Sequence, residues 1–425
     1  MQSLEKLVDQ FPDTPWKILL KADILRRGIR LNEDIQEAGE ISCLTGLSTK
    51  FESLVSHFSP PPSQFHFVDD ETTVDIKIDE RSPYEIRARD GKYRLSCGAN
   101  DFGEVRFTKR PSYMDKRTSD GTSCAEYLVQ RGPSCLSVSP VDFCAYFRTG
   151  DYCRYCFFAP MMEYRLQRNN ARPIPNYHMV AEAVDIACRE DVKLRELKLN
   201  GGALYNVARE ARYIKQCLET ILNRIDAPEE VTVFAQALKK EDQQDLKALG
   251  ATNVLFDLEV WDERLYPELV PGKAKTVGRA TWLKRLQDAV DVFGRGHVGT
   301  NFVAGIECAP KPGFLSRDEA IRSYSEGFEY LIERGIVPWF TIWTANPVMQ
   351  FEVDDPPPTA FFLKLGSTIH ELLEKYDVYP DLGFTEMGGD PPTLGLYCYY
   401  CYSMQFTRDY PRLINRKQTA TSPPA

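Results

Sequence analysis

Cys144, Cys153 and Cys156 lie in the run Asp142-Phe-Cys-Ala-Tyr-Phe-Arg-Thr-Gly-Asp-Tyr-Cys-Arg-Tyr-Cys-Phe-Phe. Three thiols so close in sequence are a ligand set for a metal. Held by three thiolates, a cubane iron–sulfur cluster keeps one iron open, and an open iron can bind a small molecule and react with it. Cys153-Arg-Tyr-Cys156 alone is also compatible with half of a zinc site or a redox pair. Structural zinc needs a second close pair. The candidate, Cys398-Tyr-Tyr-Cys401, is far away in the chain. Cys135 is the only near competitor for first ligand, and it falls inside an expected strand.

The elements that must position this loop alternate regularly. Cys135-Leu-Ser-Val-Ser reads as a buried strand, followed by a helix at about 177–189. Strands at 194–199, 231–235, 254–260, 298–306 and 336–343 alternate with helices at 207–224, 240–249, 279–293, 316–334 and 359–376. Six strand–helix repeats predict a parallel sheet with right-handed crossovers. A six-unit partial barrel and a doubly wound sheet both satisfy this pattern. In either, ligands sit at the carboxyl ends of the strands, where Cys144 falls.

Outside 133–376 the pattern changes. Residues 1–58 read as helical, ended by Ser59-Pro-Pro-Pro-Ser63, because consecutive prolines cannot continue a helix. Residues 59–132 read as a small strand-rich segment with a polar loop at 108–130. Residues 377–425 form a C-terminal extension with the second CxxC and an expected disordered tail.

The chain has 425 residues, 43% hydrophobic, with net charge −9 and twelve cysteines. Charge of this sign disfavours a nucleic-acid partner, which would call for a basic stripe. No apolar run reaches the ~18 residues of a membrane span, and the N-terminus lacks a signal-peptide core. A cytoplasmic location is expected, where cysteines stay reduced.

Taken together, the motifs resemble those of the radical S-adenosylmethionine (SAM) superfamily. Its cysteine signature carries an aromatic residue before the last cysteine, the position of Tyr155. The first gap is eight residues here, against the family's usual three. Leu199-Asn-Gly-Gly-Ala203 resembles the family's glycine motif at the SAM amino group, through Gly201 and Gly202. Asp257-Leu-Glu259 resembles the ribose position. The strand-5 run from Val298, with Gly305 and Glu307, resembles the adenine motif. The segment Pro267 to Arg279 is similar to the biotin synthase-related branch, in which an Arg at this place meets the SAM carboxylate.

The resemblance covers about residues 134–376 and implies an α/β partial (β/α)6 TIM-type barrel with N- and C-terminal extensions. It implies a [4Fe–4S] cluster on Cys144, Cys153 and Cys156, with SAM contacts from Tyr155, Gly201, Gly202, Glu259, Arg279, Gly305 and Glu307. The implied activity is reductive cleavage of SAM to a 5′-deoxyadenosyl radical. That radical takes hydrogen from an amino-acid-like or natural-product substrate. A one-electron reductant such as flavodoxin or ferredoxin would be a partner. Cys308, Cys398 and Cys401 are further candidates for catalysis, and the Cys398/Cys401 pair for an auxiliary cluster. An RNA-modifying enzyme and a non-catalytic iron–sulfur or zinc protein are the alternatives.

Overall fold

A computed structural model describes residues 4–31, 35, 64–70, 72–107, 109–131, 134–156, 173–343, 356–382 and 406–415. The Pro60–Pro62 run and the Cys398/Cys401 pair lie outside these residues.

The larger sheet has the order β13-β12-β11-β10-β9-β8-β7. Its parallel strands are β8 (Cys135–Val138), β9 (Glu196–Leu199), β10 (Glu230–Phe234), β11 (Asn253–Leu255), β12 (Val298–Ala304) and β13 (Ile336–Ile342). Each is hydrogen-bonded to the next in sequence. An order that never reverses excludes the doubly wound alternative, because all right-handed crossovers then fall on one face. The connecting helices are α3 (Tyr177–Glu190), α4 (Val207–Leu222), α5 (Lys240–Ala248), α8 (Arg279–Phe293), α9 (Arg317–Glu333) and α10 (Thr359–Lys375). Two short helices, α6 (Tyr266–Leu269) and α7 (Pro271–Thr276), precede α8. The sheet curls into a partial barrel. Phe234 of β10 and Trp339 of β13 stack at 6.3 Å although two strands separate them. They can meet only across a concave interior.

The strands are short and almost fully buried, as both-face-covered parallel strands require; β13 is an apolar run, whereas β9 alternates Glu196 and Lys198 with buried leucines. The expected loop at 108–130 holds two 3₁₀ turns. Its end becomes β7 (Leu128–Arg131), antiparallel to β8. A four-residue strand of mixed composition gives little periodic signal.

The N-terminal part carries α1 (Leu4–Gln10), α2 (Trp16–Arg27) and a six-stranded sheet of β1 (Arg30–Leu31), β2 (Gln64–Phe67), β3 (Thr73–Asp75), β4 (Tyr84–Arg89), β5 (Lys92–Cys97) and β6 (Asn100–Phe107). Helix α2 is buried on both sides. Leu20 and Ile24 enter the core of the small sheet, while Ile18, Leu19 and Ala22 enter that of the barrel. Its polar residues are buried and paired. Lys17 binds Asp70 at 2.7 Å, and Lys21 binds Asp409 of α11 (Phe406–Asn415) at 2.6 Å. Asp23 accepts from Tyr84 Oη at 2.6 Å and from the Thr359 hydroxyl.

Candidate functional site

The cysteine loop follows β8 directly. Cys144 is extended and caps a 3₁₀ turn over Ala145–Thr149, and Cys156 N donates to Cys153 O at 2.9 Å. Two neighbouring segments grip the loop through backbone bonds. After β9, Gly202 N donates to Val141 O at 2.8 Å, and Ala145 N donates to Ala203 O at 2.7 Å. From the other side, Arg154 N donates to Leu269 O at 2.9 Å and Gly272 N to Asp151 O at 2.8 Å. The approach is so close that only glycine fits. A Cβ on Gly202 would stand 2.4 Å from Phe143 C and 2.5 Å from Cys144 N, and one on Gly201 2.5 Å from Val141 O. A Cβ on Gly272 would stand 2.4 Å from the Tyr146 ring.

Tyr146 anchors the loop from beneath. It is buried, and its hydroxyl donates to the Gln236 side-chain oxygen. Gln236 donates in turn to Leu204 O and to Glu210 Oε2, both at 2.7 Å. Buried Glu210 also accepts from Leu204 N and Gln236 N. Burial pushes its carboxyl up, against the pull of these donors. The network joins the loop to α4 and the end of β10.

None of the three loop cysteines is in a disulfide. Burial raises the Cys144 thiol and pushes Cys153 up to about 12, while the positive charge of Lys273 acts the other way. Without a metal these groups stay protonated. A bound cation would deprotonate them. Among the described residues, no three Cys, His, Asp or Glu side chains already stand at metal-holding distance. The donor set nonetheless fits an iron–sulfur group in its chemistry. Three cysteines outside any disulfide share one loop, Cys144 and Cys153 lie within electrostatic reach of each other, and Tyr155 lies within reach of Cys153 and Cys156. Cys135 is fully buried at the start of β8, three residues before the strand ends, and belongs to the core.

A polar cluster ends β11 beside the loop. Glu259 has φ 75°, a left-handed conformation rare outside glycine and one that marks functional strain. Glu259 N donates to Asn301 O at 2.8 Å, and its carbonyl accepts from Val303 N at 3.0 Å. Lys273 of α7 holds the side chain, with Nζ 2.8 Å from Glu259 Oε1 and 2.6 Å from Asp257 O. The same ammonium lies 5.0 Å from the centre of the Trp282 ring. Burial disfavours its charge, but Glu259, Cys153, Asp257 and Tyr266 together hold it above the usual lysine range. Asp257 accepts from Asn301 N at 3.1 Å. Burial, and then the Glu259 charge, push its carboxyl up to about 7.

The other expected contacts are engaged with protein. Arg279 donates through Nε and Nη2 to Trp261 O at 3.1 and 2.9 Å, and stacks over the Trp261 ring at 4.6 Å. Glu307 is fully buried, accepting from Trp261 N at 2.6 Å, Asp262 N at 3.1 Å and Ser323 Oγ at 2.7 Å. It fixes the loop whose Trp261 carbonyl holds Arg279. Gly305, at φ 98°, turns the chain against Pro357, and Cys308 Sγ contacts Gly305 O at 3.3 Å. The structure therefore gathers Cys144, Cys153, Tyr155, Gly201, Gly202 and Glu259 around the loop. It draws Glu307, Gly305 and Cys308 into a separate turn after β12. Lys273, Tyr146 and Gly272 were not singled out from the sequence, and Asp257 entered only as the first residue of the Asp257-Leu-Glu259 motif. The one available signal was that Lys273 stands inside the segment leading to Arg279.

No protein-family model matches the chain. Among curated proteins, it is 23% identical over 314 residues to bacteriochlorophyllide c C-7(1)-hydroxylase of Chlorobaculum limnaeum, covering 69% of this chain and 74% of the relative. Among solved structures, it is similar to the FeFe-hydrogenase maturase HydG from Carboxydothermus hydrogenoformans, with 16% identity, TM-score 0.40 and coverage of 57% of this chain and 51% of that one. It is also similar to coproporphyrinogen III oxidase (HemN) from Escherichia coli, a radical SAM enzyme, with 13% identity, TM-score 0.36 and coverage of 61% and 55%. The chain resembles radical SAM enzymes. It spans about half the length of these two solved structures. Among the described residues no helix is long and apolar enough to cross a membrane.

Proposed function

We propose that this chain is a radical SAM enzyme acting on a small organic molecule, with Cys144, Cys153 and Cys156 as ligands of a [4Fe–4S] cluster. One observation carries the reading. The three-cysteine loop stands at the carboxyl end of the first parallel strand and is packed on Gly201-Gly202 after the second, with no space for a Cβ between them. When bound, the cluster and SAM supply reductive cleavage of the sulfonium and a radical that takes hydrogen from a substrate.

The chain's own share is positioning and exclusion of water. Backbone bonds from Ala203, Leu269 and Gly272 hold the loop in register. Glu259, turned inward by its left-handed backbone, offers a carboxylate to ribose hydroxyls. Tyr155, within reach of Cys153 and Cys156, would shield a cluster held there. The Phe234–Trp339 stack, with Lys198 Nζ 5.5 Å from the Phe234 ring, fills the interior below. Substrate therefore approaches from the carboxyl ends of the strands. Net charge −9 favours a small molecule over RNA. The curated relative is named for a hydroxylation at a ring substituent, and by analogy the reacting bond here is a C–H bond of an organic metabolite. An external one-electron donor such as flavodoxin or ferredoxin completes the reading.

The test is oxygen-free reconstitution with iron and sulfide, reduction with dithionite and addition of SAM. Formation of 5′-deoxyadenosine in the wild type, and none in Cys153→Ala, is the expected result. A protein that gains iron and sulfide yet never cleaves SAM, even with cell extract supplying substrate, would instead be a non-catalytic iron–sulfur protein.

A further inference from the structure

We infer that Lys273 is a positioning residue that supplies the compensating positive charge for the cysteine loop and for Glu259 together, and so sets how readily a bound cluster accepts its electron. The inference rests on the reading above.

Lys273 sits where three elements meet. Its ammonium donates to Asp257 O and Glu259 Oε1 at the end of β11, lies against Trp282 of α8, and is carried by α7, whose Gly272 packs on Tyr146 of the cysteine loop. Its charge reaches Cys144 and Cys153. The side chains of Lys273 and Glu259 are only 12% and 13% exposed, so solvent screens little between them.

The neighbouring cations are placed otherwise. Arg148 stacks on Phe143 at 4.8 Å. Arg154 is half-buried and donates to Gly150 O at 3.0 Å. Arg279 is turned to Trp261 O.

Three thiolates and the Glu259 carboxylate gather negative charge in a site of low dielectric. One-electron reduction adds one more negative charge and breaks no bond. A fixed cation nearby favours the more negative state, and so raises the potential. It also keeps Glu259 facing the site instead of seeking another donor.

The test is a charge cycle read by anaerobic potentiometric titration with dithionite, without SAM, after iron content confirms cluster loading. Lys273→Met should shift the cluster potential to more negative values. The expected loss in reduced fraction at fixed potential is tenfold or more, about 59 mV for one electron. Lys273→Arg should stay near wild type. Glu259→Gln should shift the potential the opposite way, and the double variant Lys273→Met/Glu259→Gln should return toward wild type. A lysine that only props the fold would not give opposite shifts that cancel. Potentials unchanged in both Lys273→Met and Glu259→Gln overturn the inference. If Lys273→Met cannot be loaded, an unchanged Glu259→Gln alone overturns it. Failure of the wild type to load iron refutes the parent reading instead.

Discussion

Gly202 stands directly against the backbone of Cys144: a Cβ built on Gly202 would lie 2.5 Å from Cys144 N. The glycine after the second strand therefore fixes the first cysteine of the loop by contact, besides leaving room for a ligand.

Gly202→Ala must displace that loop. The new methyl meets backbone atoms of Phe143 and Cys144, which cannot swing aside as a flexible side chain would. Overpacking of this kind costs about 1–3 kcal/mol. The expected outcome is a folded barrel by circular dichroism with a lowered melting temperature and sharply reduced iron after reconstitution. Iron loading equal to wild type would show that the loop tolerates the shift.

Single Cys144→Ala, Cys153→Ala and Cys156→Ala variants should each lose the thiolate-to-iron absorbance. Cys135→Ala should keep it, because Cys135 lies in the core of β8. Cluster absorbance surviving in Cys144→Ala would mean that the long first gap hides a different first ligand.

Glu307 provides a pH signature. Burial pushes its carboxyl from 4.5 up to about 7 in the folded chain. The folded state therefore holds the proton more tightly than the unfolded state. Its stabilising contribution is complete below about pH 4.5 and is lost as pH rises through about 7. Glu307→Gln removes this dependence. The stability of wild type relative to Glu307→Gln should fall between pH 4.5 and 7 in denaturant melts. A difference that stays flat over that window would mean that Glu307 titrates as an ordinary carboxyl.

Asp23→Ala should loosen the N-terminal helix. It leaves Tyr84 Oη, the Thr359 hydroxyl and Arg27 without their buried acceptor. Uncompensated buried donors cost about 1–3 kcal/mol each. Limited proteolysis should cut the variant between α2 and the barrel faster than wild type, and equal cutting rates would show that water replaces the carboxylate.

Much of the barrel was legible because most strands are rich in apolar residues and the connecting helices carry a 3.6-residue stripe. Most starts and ends fell within two residues of those observed, as with β13 and α10, but the strand expected over 254–260 is only Asn253–Leu255, because the chain turns off the sheet toward Glu259 at φ 75°. The cysteine loop was legible from residue type and spacing alone. Lys273 was not. It rides on a six-residue helix too short to show periodicity, and its role exists only because α6 and α7 fold back over the loop. Arg279 and Glu307 were picked out by their resemblance to family motifs, but their partners, backbone groups of residues 261 and 262 and, for Glu307, the Ser323 hydroxyl, are announced by no sequence pattern. The glycine pair was read as a place of close approach. What approaches it, the backbone at Val141 and Cys144, emerges only from the fold.

Helix α2 also has a history in time. Lys21 meets Asp409, 388 residues later in the chain, and Asp23 meets Thr359, 336 residues later. At synthesis rates of roughly 5–20 residues per second, Lys21 is made roughly 20–80 seconds before its partner. Through that interval Lys21 lacks the carboxylate that pairs with it, and Asp23 has Tyr84 of the small sheet but not Thr359. The small sheet can dock early on its Leu20 and Ile24 side, but the other side stays wet until α10 and α11 arrive. Newly made chains therefore pass through a stage in which the N-terminal part is formed and the barrel is open.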